Sequence, residues 1–382
     1  MIRVASFNVE NFFARPNAFR ATDLSVAEPI LAAYAEVNEL IKQPAYSAAD
    51  QTRIRNLLVT LDIYSVNSHG AIRRKEVLRP RWAWLRKNRG TFDREPQDVT
   101  KSVEILATGR GAWIGWVELA TEPTNEVGTR ITARVIQEIN ADIIGIVEAE
   151  NRPSMVRLNA ELLGGQYAHV MLIDGNDERG IDVALMTRDG FSIDSICSNV
   201  DRTDDDGTVF SRDCPQYEVR TPSGAVVHVL VNHFKSQSGG GGERRKRQAV
   251  AVRSIVDGLV EHGKHVIVLG DLNEGPAAPG SQAPNLAALF ENDSPLIDCY
   301  SLPGFDFGPR PGTFDSCGLR NRLDYLFISK SLEASVIGGA VFRKGLWGDR
   351  ITRPTAWETY PEITRSVEQA SDHGAVYVDL NI

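Results

Sequence analysis

The sequence predicts a layered fold of the α/β or α+β class, and three observations carry that prediction. Asp142–Val147 reads DIIGIV, a short and nearly continuous apolar run of the kind that forms a strand in the core of a sheet. Just before it, Thr129–Asn140 places Ile131, Val135, Ile136 and Ile139 at helical spacing. Strand-like and helical stretches mix along the rest of the chain, as expected of sheets layered with helices.

The elements follow in order. Arg3–Val9 alternates and reads as a strand. From about Arg15 to Arg110 the pattern turns helical. Ala27, Ile30, Leu31, Tyr34, Val37 and Leu40 mark one amphipathic face, and Ile54, Leu57, Leu58 and Leu61 mark another. Trp113–Ala120 (WIGWVELA) returns to strand. Core-like strands flank residues 15–110, which therefore read as a helical insertion within one domain spanning residues 1–382. Further strands are expected at Ile181–Thr187, Tyr217–Thr221, Val226–Asn232, His265–Leu269, Leu323–Ile328 and Ala375–Asp379, with a helix over Arg244–His262. There is no internal repeat and no long low-complexity tract.

Composition narrows the class. The chain has 382 residues, of which 42% are hydrophobic and 24% charged, as in an ordinary soluble enzyme. No run approaches the roughly 18 apolar residues of a membrane span, so no membrane partner is expected. The N-terminus lacks a signal-peptide pattern, which makes the cytoplasm the expected location. Cys197, Cys214, Cys299 and Cys317 form no C-x-x-C pair and read as isolated thiols; a Cys197–Cys214 bridge would require export. The net charge of −8 excludes a general nucleic-acid coat. It is compatible with a metal-dependent nuclease, which needs clustered carboxylates and only a local basic surface.

Polar residues gather where the predicted strands end. Asn8 and Glu10 close the first strand, Glu148 closes DIIGIV, and His233 closes VHVLVN. Asp271 and Asn273 close VIVLG in the tripeptide Asp-Leu-Asn. Asp324 opens DYLFIS, and Asp372 and His373 open the last strand. Sites are commonly assembled where buried strands emerge from a sheet. Any one of these residues alone reads as a turn former or a cap. The ordered set is hard to explain that way. His262 and His265 form an H-x-x-H with nothing nearby to complete a tetrahedral metal set, and are expected to hold no metal.

Five motifs contain these residues: SFNVEN at Ser6–Asn11, IGIVEAEN at Ile144–Asn151, NHFKS at Asn232–Ser236, GDLN at Gly270–Asn273 and SDH at Ser371–His373. Together with RLDYLF at Arg322–Phe327, the series resembles the endonuclease/exonuclease/phosphatase superfamily. That superfamily includes pancreatic-type deoxyribonucleases, apurinic-site endonucleases, inositol-polyphosphate phosphatases and bacterial sphingomyelinases. NVENF and RGIDVAL look most like a bacterial, nuclease-like branch. The resemblance implies a deoxyribonuclease-like two-sheet αβ sandwich with its site at one rim. It also implies that Asp271 orients or deprotonates the attacking water and that Asn273 holds the water or the phosphate. His373 would be a general base or a phosphate stabiliser oriented by Asp324, and His233 would bind a phosphate oxygen. Arg179, in DERGIDVAL, resembles a family position where an Arg or another donor contacts phosphate; the alternative is a surface salt bridge.

The chemistry can be argued independently. A phosphodiester is anionic, so hydrolysis needs a Lewis acid on a nonbridging oxygen, a positioned water and stabilisation of developing charge. Carboxylate and amide oxygens suit Mg²⁺, with Mn²⁺ as a substitute, and Mg²⁺ takes only one or two carboxylates. Glu148 is the first choice of ligand, then Asp372 and Asn8; for Glu10 a salt bridge or a supporting role is as good a reading as metal contact. Lys235 in NHFKS, and Arg244 and Arg245 in GGGGERRKR, are candidate substrate contacts, the arginines against a backbone phosphate; the alternative for the arginines is a solvated helix start. Arg79–Arg89 (RPRWAWLRKNR) reads either as a surface that stacks bases and binds phosphates or as an amphipathic helix burying Trp82 and Leu85. Thr313 and Phe314 in PGTFD read as a turn with core packing, or as a substrate loop. The expected function is metal-dependent phosphodiester hydrolysis, with a DNA or RNA substrate first. The alternatives are a small-molecule or lipid phosphate as substrate, and a catalytically silent binding module on the same fold.

Overall fold

The computed structural model describes residues 1–12, 24–75, 80–120, 127–177, 180–237, 241–348 and 356–382. The chain divides into two compact units, one made of Met1–Phe13 with Thr124–Ile382 and the other of Ala14–Pro123.

The first unit is built on two sheets. The seven-stranded sheet runs Phe305–Asp306, Val336–Phe342, Ala375–Leu380, Ile2–Phe12, Ile143–Ala149, Asp182–Arg188, Tyr167–Ile173. The six-stranded sheet runs Ser192–Cys197, Gln216–Arg220, Val226–His233, His265–Asp271, Asp324–Ser329, Leu296–Asp298. Alternation along each strand sorts side chains into layers. Val4, Ile143, Val147 and Val183 meet Val229, Val231, Ile267 and Leu326 in one buried cluster between the sheets. Alternation puts Gly145 on the same face, where the sheets approach so closely that a Cβ would lie 2.2 Å from Leu269 Cδ1. On the outer face of the seven-stranded sheet, Phe7, Ile144 and Ile146 pack with Ile131, Val135, Ile136 and Ile139 of the Val127–Ile139 helix and Met155 and Leu158 of the Arg152–Glu161 helix. On the other sheet, Leu230, Val266 and Val268 pack under Ala249, Val252 and Val256 of the Gly242–Glu261 helix. This is the two-sheet αβ sandwich that the sequence implied.

In the second unit the helical pattern marks the Leu24–Ile41 and Ala48–Thr60 helices. Ile30, Val37, Ile54, Leu57, Leu58 and Leu61 are buried in the unit's own core. Ser47 and Asp50 form a capping box at the start of the second helix. Beyond it the described residues of the unit form short strands and one 3-10 turn at Arg110–Ala112. Tyr64–Val66 pairs with Ile72–Arg74, Ala83–Gly90 with Trp113–Leu119, and Asp93–Arg94 with Glu104–Ile105. The strand at Trp113–Leu119 therefore belongs to the insertion and joins neither large sheet. Residues 83–90 are strand, not amphipathic helix, and Arg79 lies outside the described residues. Cys197 is exposed, the other three cysteines are buried, and all four are free. Among the described residues, no helix is long and apolar enough to cross a membrane.

Candidate active site

Strand register builds the site. In the six-stranded sheet His233 lies beside Asp271 on a parallel neighbour, and Asp271 lies beside Asp324 on an antiparallel one. Three polar residues thus form a row across three adjacent strands. In the other sheet the register of Ile2–Phe12 against Ile143–Ala149 shifts after Asn8, and that of Asp182–Arg188 skips Glu148. These irregularities coincide with positive φ at Glu10 (51°) and Glu148 (66°); Asn273 has φ 55°. Non-glycine residues in the left-handed region carry local strain that the surrounding structure must hold, and such residues cluster at functional sites.

The side chains converge. Asp271 Oδ2 accepts from Asn8 Nδ2 at 3.1 Å and from Asn273 Nδ2 at 3.2 Å, while Oδ1 accepts from the Asn273 backbone N–H at 2.8 Å. The carboxylate is therefore fixed by three donors. His373 Nδ1 lies 2.7 Å from Asp324 Oδ2, and its Nε2 points to Asp271 Oδ2 at 3.9 Å and Asp372 Oδ1 at 3.8 Å. His233 Nε2 lies 3.6 Å from Glu148 Oε1 and 3.8 Å from Asp271 Oδ2. Glu10, Glu148, His233, Asp271, Asn273, Asp372 and His373 line one cavity of about 430 Å³. Asn8 and Asp324 are buried and act on its wall through Asp271 and His373.

Electrostatics follow from this crowding. Burial, opposed by His373, pushes the Asp271 carboxyl above the usual carboxylate range, and Asp324 and Glu148 add to the rise. Burial works against a charged His373 ring, but Asp324, Asp271 and Asp372 prevail and hold its pKa well above that of an ordinary histidine. The Glu10 carboxyl is pushed up to about 7 by burial and by the Asp372 carboxylate.

Some expected residues are not brought to the cavity. Arg245 turns inward, where its Nε donates to Glu274 at 2.6 Å and its Nη1 to the carbonyls of Lys235 and Ser236, both at 3.1 Å. Arg244 donates to the carbonyls of Val209 and Thr208. Arg247 pairs with Asp204. These contacts correct the picture of an arginine clamp: their guanidinium groups staple the start of the helix to neighbouring loops. Lys235 Nζ reaches Ser236 Oγ at 3.3 Å and is not on the cavity wall. Arg179 lies outside the described residues.

Two further residues on the wall carry little signal in the sequence. Arg212 lines the cavity at 2% exposure, with its Nε 3.0 Å from Asp177 Oδ2. It follows a Ser in an irregular stretch, and only its position ahead of the Gln216–Arg220 strand could have signalled it. Phe314 also lines the cavity, its ring 4.9 Å from that of His373. Its neighbour Thr313 is buried, and its Oγ1 accepts from the backbone N–H groups of Leu323 and Asp324 at 3.1 Å each. PGTFD is therefore both a packed turn and part of the site.

Carboxylates on one wall, an amide-held aspartate and an aspartate–histidine pair define a site built for phosphoester chemistry. The profile of the Endonuclease/Exonuclease/phosphatase family matches residues 91–337, and the chain belongs to that family. Its members are metal-dependent hydrolytic phosphoesterases. Among solved structures, a mannosyl-6-phosphatase from Bacteroides thetaiotaomicron is similar at 18% identity and TM-score 0.49, over 67% of this chain and 92% of that one. An endonuclease/exonuclease/phosphatase protein from Bacteroides vulgatus is similar at 15% identity and TM-score 0.47, over 66% and 90%. Truncated TDP2 from Caenorhabditis elegans is similar at 18% identity and TM-score 0.46, over 67% and 91%. No curated protein matches the chain significantly.

Proposed function

We propose that the protein is a metal-dependent phosphodiesterase whose first substrate class is nucleic acid. One observation carries the reading: Asp271, fixed by Asn8 and Asn273, faces the Asp324–His373 pair within one cavity.

The donor chemistry fits a hard divalent cation. Asp271, Asp324 and His373 place ligand atoms within 4.8 Å of one another. A cation there would compete with the 2.7 Å bond between Asp324 and His373. Glu148, Asp372 and Glu10 offer a carboxylate wall instead, which suits Mg²⁺ or Mn²⁺. Asn8 Oδ1 accepts from the Glu10 N–H at 3.0 Å and has a second lone pair to offer. When bound, the ion supplies Lewis-acid stabilisation of a phosphoryl oxygen.

The chain's own groups do the rest. Asp271 takes the proton of the attacking water; its raised proton affinity makes it a stronger base than an ordinary carboxylate, and general-base assistance contributes typically about 10²–10⁴-fold. The water oxygen bonds to phosphorus as the bond to the leaving oxygen breaks. His373, held protonated by Asp324, places positive charge beside the phosphoryl group and so acts as a charge stabiliser, not as the base. His233 and Arg212 provide further donors to phosphate oxygens. Phe314 offers a ring to a base or sugar.

The withdrawal of Arg244, Arg245 and Arg247 favours a second reading, in which the substrate is a small phosphate ester. The deciding assay offers supercoiled plasmid, linear duplex, single-stranded DNA and RNA, with Mg²⁺, Mn²⁺ or chelator, to wild type and His373→Ala. Metal-dependent cleavage that the variant loses supports the nuclease. Hydrolysis confined to small esters would replace it with the second reading, and silence on both would leave a binding module.

A further inference from the structure

The second unit carries an aromatic and basic surface that phosphoester hydrolysis does not use. Ala83–Gly90 and Trp113–Leu119 form a two-stranded ribbon whose pleat separates two faces. Ala83, Trp113 and Val117 point into the unit's core. Gly115 shares that face, where a Cβ would lie 2.2 Å from the Trp113 ring. The other face is open to solvent: Trp116 is 48% exposed and Ile114 44%. The register sets Arg86 directly across from Trp116, Arg89 across from Ile114 and Trp84 across from Glu118. The Arg86 guanidinium lies 4.8 Å from the Trp84 ring centroid and 2.6 Å from Glu118. A cavity of about 470 Å³ reaches Trp84 from the other side of the ribbon, where Ala83, Leu85 and Lys87 line it and its cations are paired, Arg74 and Lys87 with Asp93 and Lys75 with Asp62. That volume is in the range of small-molecule pockets and large enough for a base.

An exposed tryptophan, Trp116, with a half-buried one, Trp84, and arginines beside them suits a particular partner. Every base has a π-face that stacks on an aromatic ring, and guanidinium groups meet the phosphates between bases. A duplex keeps its bases stacked inside, so only a single strand can use such rings. Against a chain of net charge −8, one strand of this ribbon sets Arg86 and Arg89 on the open face, while Lys87 turns to the other face and pairs with Asp93. We propose that this ribbon binds single-stranded nucleic acid, with bases stacked on Trp116 and Trp84 and phosphates met by Arg86 and Arg89. The inference deepens the nucleic-acid reading of the active site and rests on it for its biological sense.

The test uses the full chain in chelator, so that binding is read without cleavage. Anisotropy of a labelled single-stranded oligonucleotide is measured for wild type, Trp116→Ala and Arg89→Ala, with duplex as competitor. Turnover of bis(p-nitrophenyl) phosphate with Mn²⁺ is followed in parallel. Trp116→Ala is expected to weaken single-strand binding about tenfold, as loss of one stacked base does. Arg89→Ala should weaken it and flatten its salt dependence, and both variants should keep wild-type turnover of the small ester. Oligonucleotide affinity unchanged in both variants overturns the proposal, and so does a dimer that Trp116→Ala converts to monomer while wild type binds no oligonucleotide. The two readings separate cleanly: binding lost in the variants of a protein that cleaves no polymer supports the ribbon while sinking the nuclease. Polymer cleavage with unaltered binding does the reverse.

Discussion

Replacing Asp324 by Asn keeps the size of the side chain and removes its charge. His373 Nδ1 lies 2.7 Å from Asp324 Oδ2, where the aspartate is fully buried and the histidine 7% exposed. A hydrogen bond involving a charged group contributes about 1.5–3 kcal/mol, and about 1.4 kcal/mol is tenfold in an equilibrium or a rate. The substitution should therefore reduce the ring's proton affinity about 10- to 150-fold. Burial, which already disfavours the charged ring, then meets less opposition. If protonated His373 stabilises the phosphoryl charge, turnover of a phosphodiester falls by about 10- to 100-fold. The assay is steady-state turnover of bis(p-nitrophenyl) phosphate, with circular dichroism to establish that the variant is folded. Because the pair acts as a unit, Asp324→Asn on top of His373→Ala should add little. Near-wild-type turnover in folded Asp324→Asn, or full additivity in the double variant, would refute the reasoning.

Arg245→Ala should destabilise the protein by about 3 kcal/mol in urea unfolding, because it leaves the buried Glu274 carboxylate without its cation and with Asn285 as its remaining side-chain donor; normal stability with a raised KM would return Arg245 to the substrate. Gly145→Ala should cost about 1–3 kcal/mol by forcing the sheets apart, and an unchanged melting temperature would mean that Leu269 yields freely. Burial lowers the pKa of His228 below 6.5 in the folded chain. Its contribution is therefore fully present above the unfolded value and is lost as pH falls through the folded one. The melting temperature of His228→Gln should accordingly fall less than that of wild type between neutral and mildly acidic pH, and parallel curves would contradict this. Mg²⁺ at about 100-fold over its Kd should stabilise the protein by about 2.7 kcal/mol. Glu148→Gln should lose most of that gain in a thermal melt, and an equal gain in the variant would remove Glu148 from the ligands.

The sequence reveals the sandwich where strands are buried on both faces. DIIGIV, VHVLVN and VIVLG form central strands within a residue or two of the predicted limits. It conceals Tyr167–Ile173, Ser192–Cys197 and Leu296–Asp298, which lie at sheet edges where one side is half exposed and the apolar pattern is diluted. The site residues at strand ends are legible because each follows or precedes an apolar run. Arg212 is not, because its place on the cavity wall depends on a long-range pairing with Asp177. Arg245 misled for a related reason. A basic run in sequence carries no sign of whether a buried partner such as Glu274 awaits it across the fold. In the insertion, helical periodicity at 27–61 gives way to strands of two to eight residues, most of them too short for a periodic signal.

The row formed by His233, Asp271 and Asp324 has a consequence for assembly. A strand slipped by one residue turns every side chain on it to the opposite face. A slip of His265–Asp271 against either neighbour would thus break the row and point Asp271 into the apolar layers. The chemistry then works as a gauge of pairing: in a refolding experiment, recovered turnover counts molecules in correct register, while circular dichroism counts all that have regained strands. A lag of the first behind the second would measure how long mispaired sheets persist.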